Sequence, residues 1–129
     1  MWYFCPKYCY MPKKTLVLGA APDAEKYAYK ATVMLKEYGH PVVPFGIKKG
    51  YIGNLKIINE LPEGEFDTVT LYIGPPKQQA YFDYLVKLKP KRVIFNPGTE
   101  NLVLENLLER NEIEPVIACT LVLLRTGQY

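Results

Sequence analysis

Histidine is almost missing from this chain, and cysteine is scarce. His40 is the single histidine, and there are three cysteines among 129 residues. One histidine removes most zinc sites and most His-dependent nucleophilic triads. An odd number of cysteines argues against a closed disulfide framework and fits a reducing cytoplasm. Cys5 and Cys9 stand four apart, as half a metal site would, but no second Cys/His pair completes it, so no metal is expected. No apolar run approaches the roughly 18 residues that span a bilayer, and the densest stretch is only Leu121 to Leu124. Charge of one sign is also lacking. Sixteen Lys and Arg face 13 Asp and Glu, for a net +3. The sequence pI of 8.7 stays below the value of about 9 that marks a dedicated nucleic-acid binder. Neither a membrane nor a nucleic acid is an expected partner.

What is present describes a globular domain. Hydrophobic residues make up 49% and charged residues 22%, ordinary values for a folded chain. The length suits one domain. Residues 1–12 stand apart, being rich in aromatics and bracketed by Pro6 and Pro12. They lack the basic start and apolar stretch of a secretory signal. They read as a loose, disordered extension, or as a stretch upstream of a start at Met11. The domain proper is expected over residues 13–129.

Within it, two periods alternate. Thr15 to Leu18 is a short apolar run that reads as a buried strand. Gly19, Ala20, Ala21, Pro22 and Asp23 form a turn of small residues. Tyr27, Ala31, Met34, Leu35 and Tyr38 then share one helical face, which assigns Tyr27 to the core. Asp23 is the expected N-cap of that helix and Gly39 its C-terminal stop. Pro41 to Phe45 is the second strand, completing a βαβ unit. The pattern repeats with a strand at Thr68 to Ile73, a helix at Lys77 to Leu88 and a strand at Arg92 to Phe95. A helix at Asn101 to Arg110 and a strand at Glu114 to Ala118 follow. Residues 50–64 are the weakest stretch, with a short strand at Lys56 to Ile58. Alternating elements with apolar strands predict an α/β fold: a doubly wound, mainly parallel sheet of about five strands with helices on both faces. An order such as 3-2-1-4-5 satisfies right-handed crossovers.

In such sheets a ligand binds beyond the carboxyl ends of the strands. Those ends are Gly19 to Asp23, Phe45 to Lys49, Gly74 to Lys77 and Asn96 to Thr99. The amides of the first turn and of a helix starting near Asp23 are expected to face an anion there. The turn is neither a dinucleotide fingerprint, since Ala21 and Ala24 stand where glycine belongs, nor a phosphate loop ending in Gly-Lys-Ser/Thr. The second strand lacks the acid that holds a ribose hydroxyl in NAD-binding folds. It is followed instead by Lys48 and Lys49 between Gly46 and Gly50, a pair suited to a ribose phosphate. That favours NADP or coenzyme A over NAD. Tyr27 and Tyr29 open the first helix and are also placed to cover a ligand. His40, at a helix–strand junction away from the crevice, reads as a surface turn residue. Cys119 reads as a small core residue, or as a reactive thiol if it lies near bound phosphates. No carboxylate pair, Ser–His pair or metal cluster stands at the crevice, so a binding site without evident catalytic machinery is expected.

Several segments resemble a known family. They are Val17-Leu18-Gly19-Ala20-Ala21-Pro22, Lys26-Tyr27-Ala28-Tyr29-Lys30-Ala31, Asp67-Thr68-Val69-Thr70-Leu71-Tyr72, and above all Lys89 to Asn101, which contains Asn96-Pro97-Gly98-Thr99-Glu100-Asn101. With the ending Ala118 to Tyr129, these are similar to the small stand-alone CoA-binding proteins, over roughly Lys13 to Tyr129. That family is similar in turn to the CoA-binding domain of succinyl-CoA synthetase. The resemblance implies a three-layer Rossmann-like fold and coenzyme A, or an acyl-CoA, as partner. It implies that the diphosphate lies over Gly19 to Asp23. It implies that Phe45 to Lys49 meets the adenosine or its 3′-phosphate. Gly74, Pro75 and Pro76 would flank the nucleotide, and Asn96, Pro97 and Gly98 would line the path of the pantetheine arm. Relatives often carry Asn-Pro after the second strand, where this chain has Phe45-Gly46. Nothing corresponds to the synthetase's phosphorylated histidine or to an ATP-grasp partner domain. The alternative reading is an NADP-dependent oxidoreductase or another nucleotide-binding module. A thiol at Cys119 facing the pantetheine end would form a mixed disulfide with CoA under oxidation.

Overall fold

The computed structural model describes residues 11–129. Cys5, Cys9 and most of the proposed extension lie outside the described residues. In chain order the elements are β1 (Thr15–Leu18), α1 (Tyr27–Glu37), β2 (Val42–Phe45), β3 (Tyr51–Ile52), β4 (Leu55–Lys56) and β5 (Thr68–Leu71). There follow α2 (Pro75–Gln78), a 3-10 turn (Gln79–Tyr81), α3 (Phe82–Leu88), β6 (Arg92–Phe95), α4 (Leu102–Arg110), β7 (Glu114–Ile117) and α5 (Thr120–Arg125). Among the described residues no helix is long and apolar enough to cross a membrane.

Five strands form one parallel sheet in the order β2-β1-β5-β6-β7. Counted along the chain, this is 2-1-3-4-5, not the expected 3-2-1-4-5. The reason lies in residues 46–67. A parallel neighbour beyond β2 needs a crossover helix, and this stretch supplies only the β3–β4 hairpin. Its return chain covers the open edge of β2 instead. Ile58 N–H donates to the Pro44 carbonyl at 2.9 Å, and Gly46 N–H donates to the Ile58 carbonyl at 3.1 Å. Pro44 in β2 and Pro115 in β7 both occupy edge strands, where a missing N–H does least harm.

Side chains alternate across the sheet. Leu16, Leu18, Val69, Leu71, Val93 and Phe95 pack with Leu85, Leu104 and Leu108 on the α3–α4 side. Val17 packs with Ala28, Leu35 and Leu124 on the α1–α5 side. Both faces are therefore covered, and β1 and β5 are buried along their whole length.

The ends of α1 divide the expectations. Gly39, at φ +88°, sends its N–H to the Lys36 carbonyl, and His40 N–H reaches the Leu35 carbonyl. This pair is a Schellman stop. The start is later than expected: Lys26 is the N-cap, with no side-chain cap bond. Asp23 therefore does not cap the helix. The buried face is Ala28, Ala31, Thr32 and Leu35. Tyr27 is 67% exposed, outside the core to which periodicity assigned it. The helix α5, packed on the same face of the sheet as α1, has six residues, too few to show a helical period in the sequence.

His40 also departs from its expected place. It is 4% exposed rather than on the surface. Its Nδ1 accepts the Lys13 N–H at 2.9 Å, and its ring lies 4.7 Å from that of Tyr129. Burial, then the charges of Lys13 and Arg92, hold its pKa below the usual value, against an opposing pull from Asp67. The folded state thus keeps a neutral imidazole that the unfolded chain would protonate near pH 6.5. Its contribution is complete above that pH and is lost as pH falls below it. Thermal melting is expected to drop between pH 7 and 5, with a shallower drop in His40→Asn. Parallel pH curves for both proteins would contradict this account.

Candidate functional site

The sheet reverses direction of winding between β1 and β5, so their carboxyl ends bound a crevice. A cleft of about 580 Å³ opens there, within the range of small-ligand sites. Close backbone contacts build it. Gly19 has φ +111°, and a Cβ there would lie 3.0 Å from Ile73 and 3.1 Å from the Tyr72 backbone. Gly46 presses on the β1 turn so closely that a Cβ would overlap the Ala20 carbonyl oxygen. Phe45 forms the floor, its ring edge-on to Tyr81 at 6.1 Å.

The rims are held by buried amides. Gln78 Nε2 donates to the carbonyls of Ile73 at 2.8 Å and Thr99 at 2.7 Å. Gln78 Oε1 accepts from Asn101 Nδ2 at 2.9 Å. The loops after β5 and β6 are thereby joined. Asn96 Nδ2 donates to Thr70 Oγ1 and to the Leu71 carbonyl, while its Oδ1 accepts the Thr120 N–H.

Of the residues singled out in the sequence, Gly19, Ala20, Ala21, Tyr27, Phe45, Lys48 and Gly74 line this cleft. Pro22, Asp23, Lys49, Pro75, Pro76, Asn96, Pro97 and Gly98 fall outside the lining set. Asp23 sits at the mouth, 3.7 Å from the Lys48 ammonium. Asn96 is buried and spends its side chain inside the fold. Sequence reasoning did not single out Lys26, Ala28, Tyr72 or Tyr81 as ligand contacts, and each lines the cleft. Lys26 reaches the cleft because α1 begins at Tyr27 and leaves Lys26 as its cap residue. Lys77 and Gly46 belonged to the loops named as crevice edges, and both line it.

One expectation needs correction at the level of single atoms. The amides of Gly19 and Ala20 do not face the cleft. Both donate to the Phe45 carbonyl, at 2.9 and 2.7 Å. Unspent donors among the lining residues include Ala21, and Tyr27 and Ala28 in the first turn of α1. A helix start leaves such donors free and carries partial positive charge. Lys26 at the cap of α1, Lys48 in the loop after β2 and Lys77 in α2 add cations around the same space. Tyr72 closes one wall. Burial, opposed by hydrogen bonds to Thr70 and Thr120, pushes its pKa up to about 12, so at neutral pH it is a protonated phenol. The cleft therefore combines an apolar floor, anion donors and hydroxyl groups. Cys119 is a half-buried free thiol. Among the described residues no group of three or more His, Cys, Asp or Glu is placed to hold a metal ion.

The family model for the CoA binding domain matches residues 13–125. No curated protein matches significantly. A solved structure described as that of an uncharacterized protein is 55% identical, with a TM-score of 0.90, covering 92% of this chain and 99% of its own. A protein from Thermus thermophilus is 21% identical, with a TM-score of 0.79 and 91% of each chain covered. A hypothetical protein from Pyrococcus horikoshii is 23% identical, with a TM-score of 0.77, covering 86% of this chain and 80% of its own. The last two share the fold.

Proposed function

The chain belongs to the CoA binding domain family, and on that premise we propose that it binds coenzyme A, or an acyl-CoA, in the cleft between β1 and β5. The observation that carries the reading is the meeting of unspent amides with three lysines in one cleft above an apolar floor. Coenzyme A is a polyanion with an aromatic base and a long, less polar arm. The amides of Ala21, Tyr27 and Ala28 suit its diphosphate. Lys48, with Lys49 beside it on the same loop, suits the 3′-phosphate. Lys26 and Lys77 add attraction from the facing rims. The exposed ring of Tyr27 offers a face for adenine at little conformational cost. Gly74, Pro75 and Pro76 flank the nucleotide, and the pantetheine arm leaves towards Asn96, Pro97 and Gly98.

Calorimetry with CoA, dephospho-CoA and NADPH tests this. CoA is expected to bind about fivefold more tightly than dephospho-CoA, the size of a solvent-exposed ammonium–phosphate contact. Equal affinity for both would remove Lys48 and Lys49 from the phosphate site. Binding of neither would end the reading, and a clear preference for NADPH would replace it with the oxidoreductase reading.

A further inference from the structure

A carboxylate at the mouth of a polyanion site is out of place unless it acts on something there. Asp23 is such a carboxylate, and Lys48 is its neighbour at 3.7 Å, with both side chains partly in solvent. The two backbones that carry this contact are held close together. A Cβ at Gly46 would overlap the Ala20 carbonyl oxygen, and one at Gly50 would lie 2.8 Å from Pro22. The loop after β2 is thus pressed onto the turn after β1 on both sides of Lys48. Asn59 Nδ2 then ties the loop down, donating to the carbonyls of Gly46 at 2.8 Å and Lys48 at 3.1 Å. Asp23 has no competing role as a helix cap.

We propose that Asp23 is a built-in rival for the ligand's phosphate: it occupies the Lys48 ammonium until a phosphomonoester displaces it, and so sets how strongly the cleft selects for one. This rests on the CoA reading of the cleft. A monoester near pH 7 is close to a dianion and competes with a carboxylate better than a diester monoanion does. Asp23 also repels whatever anion enters, so its removal strengthens the phosphate contact twice over. Both effects act through solvent and weaken as salt rises.

Calorimetry at low salt on the wild type, Asp23→Asn, Lys48→Gln and the double variant tests this, with Asp23→Ser as a second replacement. Asp23→Asn is expected to tighten CoA about threefold, the scale of an exposed ion pair. Dephospho-CoA should gain less, and the gain for CoA should largely vanish in the Lys48→Gln background. An unchanged or weakened affinity for CoA in both Asp23 variants overturns the proposal. So does an equal gain with and without Lys48, which would reduce Asp23 to general repulsion. Failure of the wild type itself to bind CoA is a different result, and it removes the site reading along with this one.

Discussion

Gly46→Ala is expected to lose about 3 kcal/mol of stability, or roughly 10 °C in melting temperature, together with most of its affinity for CoA. The added methyl would overlap the Ala20 carbonyl oxygen, and neither partner can yield cheaply. Ala20 N–H is bonded to the Phe45 carbonyl at 2.7 Å, and Gly46 N–H to the Ile58 carbonyl at 3.1 Å. Relief therefore requires the loop after β2 to lift from the turn after β1. That movement carries Lys48 away from the cleft and opens its floor at Phe45. An affinity loss of roughly tenfold or more follows if even one contact of about 1.4 kcal/mol is forfeited. Gly74→Ala is the matched control. It too lies in the cleft lining, but its Cβ would meet nothing nearer than Pro76 at 3.9 Å. It should melt within a degree or two of the wild type. Equal melting temperatures for the two variants would refute the close-packed account of the cleft.

Asn96→Leu is expected to be similarly costly for a different reason. Asn96 is 2% exposed, and its one amide joins three elements. It donates to Thr70 Oγ1 at 2.7 Å and to the Leu71 carbonyl at 2.9 Å, and accepts the Thr120 N–H at 2.9 Å. Leucine keeps the volume and removes all three bonds. The Thr120 N–H and the Leu71 carbonyl then stay buried without partners, at about 1–3 kcal/mol each. A loss of about 3 kcal/mol is expected by chemical denaturation. Hydrogen exchange should also show faster opening of α5, whose first residue has lost its anchor. A change under about 0.5 kcal/mol would mean that the network carries little of the stability. This role also explains why the Asn-Pro-Gly stretch looks like a functional motif: its first side chain is used by the fold.

The regular elements were legible because their periods were clean. β1 and β6 lie where the apolar runs placed them, at Thr15–Leu18 and Arg92–Phe95. The inward leucines of α4 pointed the same way. Strand order was not read correctly, although a usable signal existed. Pro44 inside β2 argued for an edge strand, whereas the order 3-2-1-4-5 places that strand between two others. The hairpin at Tyr51 to Lys56 was also missed. Gly53, at φ +60°, takes the first turn position of a two-residue loop, where a type II′ turn favours glycine. The burial of His40 was hidden because the contact that covers it, Tyr129, comes from 89 positions further along the chain. In the site, residue types were readable and atomic duties were not. The small turn after β1 was identified, yet which of its amides remain free depends on the Phe45 carbonyl of a neighbouring strand. Lys26 carries no signal in the sequence because a helix starting near Asp23 would place it inside the first turn rather than at the cap.

A crystal structure of the protein grown with coenzyme A would show where the diphosphate is held. Diphosphate oxygens are expected within hydrogen-bond distance of the Ala21, Tyr27 and Ala28 amides, with the Lys48 ammonium turned from Asp23 to the 3′-phosphate. A nucleotide seated elsewhere, or a diphosphate held away from those amides, would contradict this placement.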